Sequence, residues 1–573
     1  MPPVPALSLA GRRQAWEALG RRSFDVLVVG GGVTGAGAAL DAASRGLSVA
    51  LVEGRDFASG TSSRSSKLFH GGLRYLEQFD FHLVREALRE RDLMVERLAP
   101  HLVRPVSFAY PLSHHVWERA YVGAGMLLYD TLGGGRVLPR HRHLSRRGLL
   151  AHYPGLLPGA MVGAIRYWDA QTDDARHTLT VARTAAAQGA VVRNSTEVTG
   201  LNREGARVVG ADVRDTETGD TMAVRAGAVV NCTGVWTDDI HRLSGTATTL
   251  RVQASKGVHL LVARDRIDAD GGLILRTERS VLFVIPWGPH WIIGTTDTPW
   301  DLEREHPAAT STDIDYILAH VNRVLVSPLS HDDVIGVYVG LRPLLAGEAE
   351  DTTRLSREHA VARPVPGLVS IAGGKYTTYR VMARDAIDAA VGELGRAAAP
   401  SVTDQLPLLG ADGYAGMVNR VDGIAERHHL RPAQVTHLLE RYGSLLDDVL
   451  APAAEDPTLL EGVAGAAGYL RAEILYGATH EGALHLDDLL ARRTRISIEE
   501  PHRGTDSAVE AASLVGGALG WDRARQAEEV AIYRSRVVAE RESQRLADDR
   551  SAEEARLAGG DPRPAALAAD PLT

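Results

Sequence analysis

Three glycines near the start of the chain have the spacing of a nucleotide-binding turn. Gly30, Gly32 and Gly35 form the pattern G-x-G-x-x-G, and Glu53 follows 18 residues after the last of them. Glycines allow a tight turn and a close approach of the backbone to a pyrophosphate, while an acidic side chain at this separation accepts hydrogen bonds from ribose hydroxyls. These residues therefore predict a bound dinucleotide.

The elements around the turn support the same prediction. Residues 24–29 (FDVLVV) read as a buried strand, a helix of small residues follows the turn and ends at Gly46, and residues 47–53 (LSVALVE) read as the next strand. This order makes a βαβ unit, whose helix directs N–H groups at phosphate from its N-terminus. We predict cofactor contacts from Asp25, Gly30, Gly31, Gly32, Val33, Thr34, Gly35 and Glu53.

The turn alone does not distinguish NAD from FAD, because both cofactors use it. FAD is favoured because the fingerprint lies near the N-terminus and because the other candidate contacts are dispersed over later segments, as an extended cofactor requires. The chain also has no second G-x-G-x-x-G for a nicotinamide partner. FAD is the predicted cofactor, and no metal is expected.

Two later stretches combine hydroxyl groups with cations. Residues 60–77 (GTSSRSSKLFHGGLRYLE) have a composition suited to phosphate, although serine-rich stretches are also common as solvated loops. Residues 373–380 (GGKYTTYR) match the phosphate loop of nucleoside triphosphatases only in part, because Val369 and Tyr376 stand where that loop needs Gly and Ser or Thr. We predict that this stretch instead ends a core strand and that its glycines let the backbone approach the far end of the cofactor.

Composition and charge exclude several classes of protein. The chain of 573 residues has a net charge of −9 and a pI near 6.2, so no global field attracts a polyanion and no nucleic-acid partner is expected. A single cysteine, Cys232, excludes an internal disulfide and a thiolate metal cluster. The sequence shows neither a signal peptide nor an apolar run of membrane-spanning length, so a cytoplasmic location is predicted.

The length of the chain requires more than one domain. Strand and helix patterns predict FAD-binding segments at about 24–110, 165–240 and 365–397, interleaved with a substrate-domain sheet at about 245–360. Beyond about residue 400 the strand patterns fade, and short helices predict a helical domain over 401–545. Residues 546–573 are rich in Ala, Asp and Pro and are predicted to be disordered.

Over roughly residues 24–382, the sequence resembles the FAD-dependent, quinone-linked (aerobic) glycerol-3-phosphate dehydrogenases. The family pattern SS-x-SSKL-x-HGGLRYLE matches residues 62–77, and the later matches keep the family's order. They are YWDAQTDDARHTL (167–179), VVNCTGVW (229–236), SKGVHLLV (255–262), FVIPW (283–287), IIGTTDT (292–298), YVGLRPL (338–344) and GGKYTTYR (373–380). The departures, at Phe69, Cys232, Val235 and Tyr376, touch no proposed catalytic group.

The resemblance implies a fold and a reaction. The fold is α/β, with a Rossmann-like FAD-binding domain of the glucose-inhibited and amino-acid-oxidase-like flavoprotein type, interleaved with a mixed β-sheet substrate domain and followed by a C-terminal helical domain. The reaction is oxidation of sn-glycerol 3-phosphate to dihydroxyacetone phosphate in glycerol and glycerophospholipid catabolism, with FAD reduced and electrons passed to a membrane quinone. Such chemistry needs a cationic pocket for the phosphate, a base for the C2 hydroxyl and a C2 hydrogen that faces the flavin.

The resemblance also assigns residues to these roles. Arg74 and Arg342 enter the phosphate pocket and Lys375 lies beside flavin and substrate, although an arbitrary arginine is more often in a surface ion pair. His259 is the candidate base, with a hydrogen-bonded histidine on a strand as the alternative. Tyr75, Thr378 and Tyr379 are candidate orienting donors, and further cofactor contacts are assigned to Thr61, Ser62, Ser65, Ser66, Lys67, His70, Gly71, Gly72, Val198, Gly234, Gly374, Lys375, Thr377 and Thr378.

A basic segment bears on the electron acceptor. Residues 136–147 (RVLPRHRHLSRR) carry five arginines and no acid, and they follow an apolar stretch at 126–129. Such a segment suits the anionic inner face of the cell membrane, where a quinone is reached, and a solvated basic loop is the alternative. The sequence leaves the oligomeric state open, a homodimer included.

Other functions compete with this interpretation. A glycerol-3-phosphate oxidase of the same architecture would deliver electrons to O2 and produce H2O2. An amino-acid or amine oxidase would share the flavin fold, but it needs a carboxylate pocket and gives no reason for the SSKL and GGK motifs. A non-enzymatic flavin-binding protein is opposed by the intact set of hydroxyls and cations.

Overall fold

The structure of the protein is a computed structural model. Two arginines named above, Arg74 of the expected phosphate pocket and Arg136 of the basic segment, lie outside the described residues. The described residues are 5–72, 75–76, 80–114, 117–133, 137–246, 250–278, 281–346 and 358–563.

Strands occupy much of the first two thirds of the chain. The first ten are β1 (Ser23–Val29), β2 (Val49–Val52), β3 (Leu68–Phe69), β4 (Val103–Leu112), β5 (Arg142–Ser145), β6 (Gly163–Thr172), β7 (Val191–Arg193), β8 (Thr196–Glu204), β9 (Arg207–Asp215) and β10 (Thr221–Asn231). The later ones are β11 (Val252–Ala263), β12 (Gly272–Arg276), β13 (Val281–Trp287), β14 (His290–Gly294), β15 (Thr298–Trp300), β16 (Val334–Leu345), β17 (His359–Val365), β18 (Leu368–Gly373), β19 (Gly462–Val463) and β20 (Ala466–Leu470).

Helices lie between the strands and then dominate the C-terminal third. Up to residue 394 they are α1 (Leu9–Arg21), α2 (Val33–Ser44), α3 (Phe81–Leu93), α4 (Trp117–Leu132), α5 (Arg146–His152), α6 (Asp174–Ala187), α7 (Thr237–Leu243), α8 (Ser311–Asn322) and α9 (Tyr379–Leu394). After it they are α10 (Tyr414–Val418), α11 (Val421–His428), α12 (Pro432–Tyr442), α13 (Leu446–Leu450), α14 (Arg471–His480), α15 (Ile496–Glu499), α16 (Ala508–Leu519), α17 (Arg523–Ser543) and α18 (Asp549–Leu557).

The first sheet carries the nucleotide turn. Its eight strands include the path β17-β18-β10-β1-β2-β7, in which β18, β10, β1, β2 and β7 are parallel. Small residues of α2, α6 and α9, such as Ala36, Ala182 and Ala386, pack together in the core on one face of this sheet. The carboxyl ends of the parallel strands therefore meet at one edge, which is where such sheets bind their ligands.

The second sheet covers the far side of the site and is larger than predicted. Its ten strands include the path β15-β11-β14-β13-β12-β4-β6-β3, and β16 pairs with β11. Strands β4 and β6 belong to it, although their residues were assigned mainly to the FAD-binding segments. The physical reason is a long-range pairing, since Gly272 and Leu273 of β12 lie beside Phe108 and Ala109 of β4.

The predicted C-terminal helical domain is confirmed. Helices α10 to α17 enclose two apolar clusters, and the small hairpin of β19 and β20 packs among them. Buried ion pairs join this domain to the FAD-binding region, including Arg493 with Asp56 and Arg495 with Asp173. Removing one partner of such a pair costs roughly 3–5 kcal/mol, so these contacts fix how the two parts dock.

The segment after residue 545 is ordered through residue 563, so the prediction of disorder is wrong for this part. Helix α18 starts at an N-cap, where Asp548 accepts a hydrogen bond from Ser551 N, and it buries Ala552. Arg563 is buried and pairs with Asp488 at 2.8 Å. Composition suggested disorder because it does not show that a few charged side chains have buried partners.

Candidate active site

In the glycine turn after β1, the positions of Gly30 and Gly35 have no room for a side chain. Gly30 has a φ of +105°, and a Cβ there would lie 2.8 Å from the Cys232 carbonyl oxygen. A Cβ on Gly35 would lie 1.9 Å from the Gly30 carbonyl oxygen. The Gly31 N–H donates to the Glu53 carboxylate at 2.6 Å, so the acidic residue borders the turn as predicted.

We expect Gly35→Ala to weaken FAD binding by roughly 10- to 100-fold, because overpacking of this kind costs about 1–3 kcal/mol and displaces the turn. The measurement is the flavin-to-protein absorbance ratio after gel filtration, together with titration of the apoprotein. Gly46→Asn is the matched control, since Gly46 ends the same helix with a φ of +78° and open space around its Cβ position. Equal flavin retention by the two variants would contradict this assignment.

Two other segments come to the same edge of the sheet. Ser62 Oγ accepts a hydrogen bond from Val33 N, at the start of α2, at 2.9 Å. A Cβ on Gly30 would meet Thr233 Cα at 3.2 Å, so the turn that contains Gly234 lies beside the glycine turn. The donors, the acid and the crowded glycines fit a bound dinucleotide, with the N-terminus of α2 toward the phosphates.

Glu53 also connects to the predicted contact Val198. The Glu53 carbonyl accepts from Thr196 N at 2.7 Å, which places β8, and Val198 within it, next to the acid. Burial raises the pKa of the Glu53 carboxyl above its usual value, while the N–H groups of Arg55 and Gly31 oppose this shift. A half-buried carboxylate of this kind suits ribose hydroxyls.

The prediction that Asp25 contacts the cofactor does not agree with its position in the structure. Asp25 lies near the amino end of β1, away from the glycine turn, and its carboxylate accepts from Ser48 N and Ser48 Oγ at 2.8 and 2.9 Å. It also pairs with Arg396. Because a strand rises about 3.3 Å per residue, Asp25 is roughly 15 Å from the turn and joins β1 to the start of β2 instead of contacting the cofactor.

The stretch GGKYTTYR and the stretch with His70 face each other. Thr377 Oγ1 accepts from His70 N at 3.1 Å, and the Lys375 Nζ lies 3.5 Å from the centre of the Tyr75 ring. A Cβ on Gly72, whose φ is +80°, would lie 3.5 Å from the same Nζ. Gly373 and Gly374 also have positive φ, at +77° and +76°. Two segments distant in sequence thus form one wall, and Gly71 N is held by the Tyr129 hydroxyl at 2.8 Å.

Two residues at the end of that wall serve the fold. Thr378 Oγ1 lies 3.4 Å from the Lys375 carbonyl and closes the turn into α9. The Tyr379 ring is buried in the core, where a Cβ on Gly37 would approach it to 3.0 Å and where it meets the edge of His177. The prediction of Tyr379 as a substrate contact is therefore corrected to a packing role.

His259 lies on β11, buried between two partners. Its Nε2 is 2.9 Å from Ser66 Oγ, and its ring stacks on Tyr338 at 4.7 Å between centroids with an interplanar angle of 6°. Its Nδ1 is buried and has no hydrogen-bond partner among the described residues. Burial holds the pKa of His259 well below 6.5, and the charges of Arg342 and Lys67 lower it further, so the imidazole is neutral.

Arg342 lies on β16, the neighbour of β11. Its guanidinium is 3.1 Å from Thr295 Oγ1 and 3.2 Å from the Thr296 carbonyl, with Asp297 at 3.5 Å. A Cβ on Gly257 would lie 2.6 Å from this guanidinium, so the glycine of SKGVH makes space for it. The side chain is 22% exposed, so it is not fully enclosed by these partners.

Thr295, Thr296, Asp297 and Tyr338 were not singled out from the sequence. They lie within the motifs IIGTTDT and YVGLRPL, from which the sequence predicts only Arg342 as a site residue. Hydroxyl and carboxylate groups at this spacing were the available signal. Their contacts depend on the pairing of β11 with β14 and β16, which joins segments distant in sequence.

The side chains of Lys67 and Ser65, which were predicted to contact the cofactor, are engaged with Asp174. Lys67 is fully buried, and its Nζ lies 2.7 Å from the Asp174 carboxylate, which also accepts from Ser65 Oγ at 2.7 Å. Burial lowers the pKa of Lys67, and the neighbouring Arg495 adds to this shift. Both side chains hold the loop in place, as does Thr61, whose Oγ1 donates to the Leu341 carbonyl at 2.6 Å. Ser66, also predicted as a cofactor contact, lies with its Oγ 2.9 Å from His259 Nε2.

The fold and the site together define an FAD-dependent oxidoreductase. A family model described as "FAD dependent oxidoreductase" matches residues 25–380, and one described as "C-terminal domain of alpha-glycerophosphate oxidase" matches residues 401–526. Both the predicted cofactor, FAD, and the predicted fold class are thereby confirmed.

The relatives narrow the class to one family. The chain is 59% identical over 570 residues to glycerol-3-phosphate dehydrogenase 2 of Mycobacterium tuberculosis, covering 100% of this chain and 97% of the relative. It is 36% identical to the mitochondrial glycerol-3-phosphate dehydrogenase of Homo sapiens, covering 89% and 72%. The crystal structure of glycerol-3-phosphate dehydrogenase from Bacillus halodurans, complexed with FAD, is 28% identical with a TM-score of 0.76, covering 93% and 98%. The chain belongs to the FAD-dependent glycerol-3-phosphate dehydrogenase family.

Proposed function

We propose that the protein oxidises sn-glycerol 3-phosphate to dihydroxyacetone phosphate and passes the electrons through FAD to a membrane quinone. The observation that carries the proposal is the neutral, buried imidazole of His259 close to the guanidinium of Arg342. A base for an alcohol and a fork for a phosphate are the two groups that this substrate requires.

The cofactor and three side chains have separate roles in the proposed reaction. Bound FAD supplies the hydride acceptor for C2 of the substrate. Arg342 binds the phosphate, and Lys375 adds positive charge at the wall beside Tyr75. When His259 Nε2 carries its hydrogen and donates to Ser66 Oγ, the Nδ1 lone pair is left to accept the proton of the C2 hydroxyl. Burial excludes water from this transfer.

Anaerobic titration tests substrate and acceptor together. Addition of glycerol 3-phosphate to the holoenzyme should bleach the flavin absorbance, and a soluble quinone should then restore it faster than oxygen does. No bleaching would end the proposal, while bleaching by amino acids instead would favour an amine or amino-acid oxidase.

A glycerol-3-phosphate oxidase is the second candidate. It is favoured by the match of residues 401–526 to a domain described from alpha-glycerophosphate oxidase. In that case oxygen would reoxidise the bleached flavin faster than the quinone and would yield stoichiometric H2O2. The same titration therefore separates the two acceptors.

An exposed surface with apolar and basic side chains supports the proposal that the electron acceptor is a membrane quinone. Helix α4 exposes large apolar side chains, and the basic segment packs beside it through a hydrogen bond of 2.7 Å between His141 Nδ1 and the Asp130 carboxylate. The apolar ones are Trp117, Tyr121, Leu127 and Leu128, and the exposed arginines are Arg140, Arg142, Arg146 and Arg147. Within the described chain no helix is both long and apolar enough to traverse a bilayer. We assign this surface, which we call the α4 patch, to peripheral contact with the inner face of the cell membrane.

Replacing the four exposed arginines of the α4 patch by Gln should lower binding to anionic vesicles at least tenfold, because each such charge contributes about 1 kcal/mol near an anionic surface. The measurement is sedimentation with phosphatidylserine vesicles at low salt. The control replaces four exposed arginines elsewhere, Arg420, Arg523, Arg541 and Arg545. Equal losses in both variants, or no binding by the unmodified protein, would sink the assignment.

A further inference from the structure

A cavity of about 120 Å³ lies where the C-terminal helices pack on the catalytic region. Its walls come from Ser63 and Arg64, from β16, and from α17 and α18. Neither His259 nor Arg342 lines it. The cavity is therefore separate from the candidate active site, although Tyr338, which stacks on His259, forms part of its wall.

The lining is strongly cationic. Two carboxylates, Asp487 and Glu540, face six arginines, which are Arg64, Arg492, Arg495, Arg503, Arg536 and Arg556. Four of the six are in ion pairs: Arg492 and Arg536 with Asp487, Arg503 with Glu540, and Arg495 with Asp173.

Arg64 and Arg556 differ from the other four. Arg64 donates to the Glu305 carbonyl at 3.1 Å, and among the described residues neither arginine forms an ion pair with a carboxylate. Burial, with the charge of Arg492, lowers the pKa of Arg64 to about 9, and burial also lowers the pKa of Arg556. The two carboxylates of the lining, Asp487 and Glu540, already pair with other arginines, so guanidinium groups outnumber carboxylates around the cavity and an anion bound there would be stabilised.

We propose that this cavity binds a small phosphate-class dianion, either inorganic phosphate or the phosphate group of a metabolite. The volume is several times the ~30 Å³ that one water molecule occupies in the liquid. Planar guanidinium groups from different segments match the oxygens of a tetrahedral anion. A bound dianion would join the loop at Arg64 to α18 at Arg556, and so would tie the C-terminal end of the chain to the catalytic region.

Calorimetric titration with inorganic phosphate tests the proposal in the FAD-loaded Arg342→Gln protein, in which the proposed substrate site is weakened. One phosphate should bind per chain. Adding Arg556→Gln should weaken this binding at least tenfold, whereas adding Arg550→Gln, an exposed arginine of the same helix, should leave it unchanged. Absence of phosphate binding in the Arg342→Gln protein, or equal binding with and without Arg556, would overturn the proposal.

A second variant keeps the proposal testable if Arg556→Gln fails to fold. Glu540→Gln removes a carboxylate from the cavity wall, so phosphate affinity should rise severalfold, and an unchanged or lower affinity would count against the site. Competition by glycerol 2-phosphate identifies the natural ligand as a phosphate monoester. Binding of inorganic phosphate alone identifies the free anion, and either result supports the cavity as the site.

Discussion

Replacing His259 by Asn will lower the rate constant for flavin reduction by glycerol 3-phosphate by roughly 10²–10⁴-fold, the range that a positioned general base contributes. FAD will stay bound, because His259 belongs to the second sheet and the glycine turn to the first. Asn fills a similar volume and keeps a polar atom near Ser66, but it cannot accept the proton. Anaerobic stopped-flow absorbance at saturating substrate measures the effect.

The control for this variant is His331→Asn, an exposed histidine paired with Asp315 on the surface, which should leave the rate constant unchanged. A flavin-reduction rate within a few-fold of the unmodified protein would remove His259 from the mechanism. Because the pKa of His259 is held well below 6.5, the imidazole is neutral at pH 6 as well as at pH 8. Titration of His259 should therefore produce no change in the rate constant near pH 6.5. The pH profile at saturating substrate should have the same shape around pH 6.5 in the unmodified protein and in His259→Asn.

The nucleotide half of the site could be predicted from the sequence because its determinants are local. The strand, the three glycines, the helix and Glu53 lie within thirty residues, and each has a steric or hydrogen-bonding reason to be where it is. Asp25 shows the limit of that reasoning. Asp25 belongs to the same βαβ unit, but it lies near the amino end of β1, whereas the glycine turn follows the carboxyl end. The length of the strand therefore keeps its carboxylate away from the ligand.

The residues proposed to bind the substrate could not be predicted from local patterns, because they are brought together by long-range strand pairing. His259 and Arg342 are far apart in sequence and become neighbours because β11 and β16 pair with Gly257 opposite Gly340. The motif resemblance selected both residues, whereas periodicity selected neither. Lys67 was misassigned for the same reason, because its partner Asp174 is brought to it only by the packing of α6.

The C-terminal domain has a structural part in the site. Arg495 pairs with Asp173 and Asp174, and Asp174 in turn holds Lys67 and Ser65. The next residue of that loop, Ser66, holds His259. A series of ion pairs and hydrogen bonds thus runs from the helical domain to the candidate base, so this domain contributes to how firmly the base is positioned.

Arg342→Gln should lower kcat/KM for glycerol 3-phosphate by about 30- to several-thousand-fold, since losing one partner of a desolvated charge pair costs roughly 2–5 kcal/mol. Thr295, Thr296 and Asp297 orient the guanidinium, and the side chain is 22% exposed, so we expect the loss to come mainly from contact with the phosphate. Arg342→Lys should recover only part of the loss, because an ammonium keeps the charge but loses the fork.

The comparison with glycerol decides whether Arg342 binds phosphate or only supports the fold. Glycerol lacks the phosphate, so its small kcat/KM should change little in Arg342→Gln, and the preference for glycerol 3-phosphate over glycerol should fall by nearly the full factor. Arg363→Gln, an exposed arginine on β17, is the matched control and should leave the preference intact. If Arg342→Gln lowered kcat/KM for both substrates by the same factor, the residue would position the site without contacting phosphate. Among the residues that the structure describes, Lys375, whose Nζ lies 3.5 Å from the centre of the Tyr75 ring, would then be the next candidate to bind the phosphate.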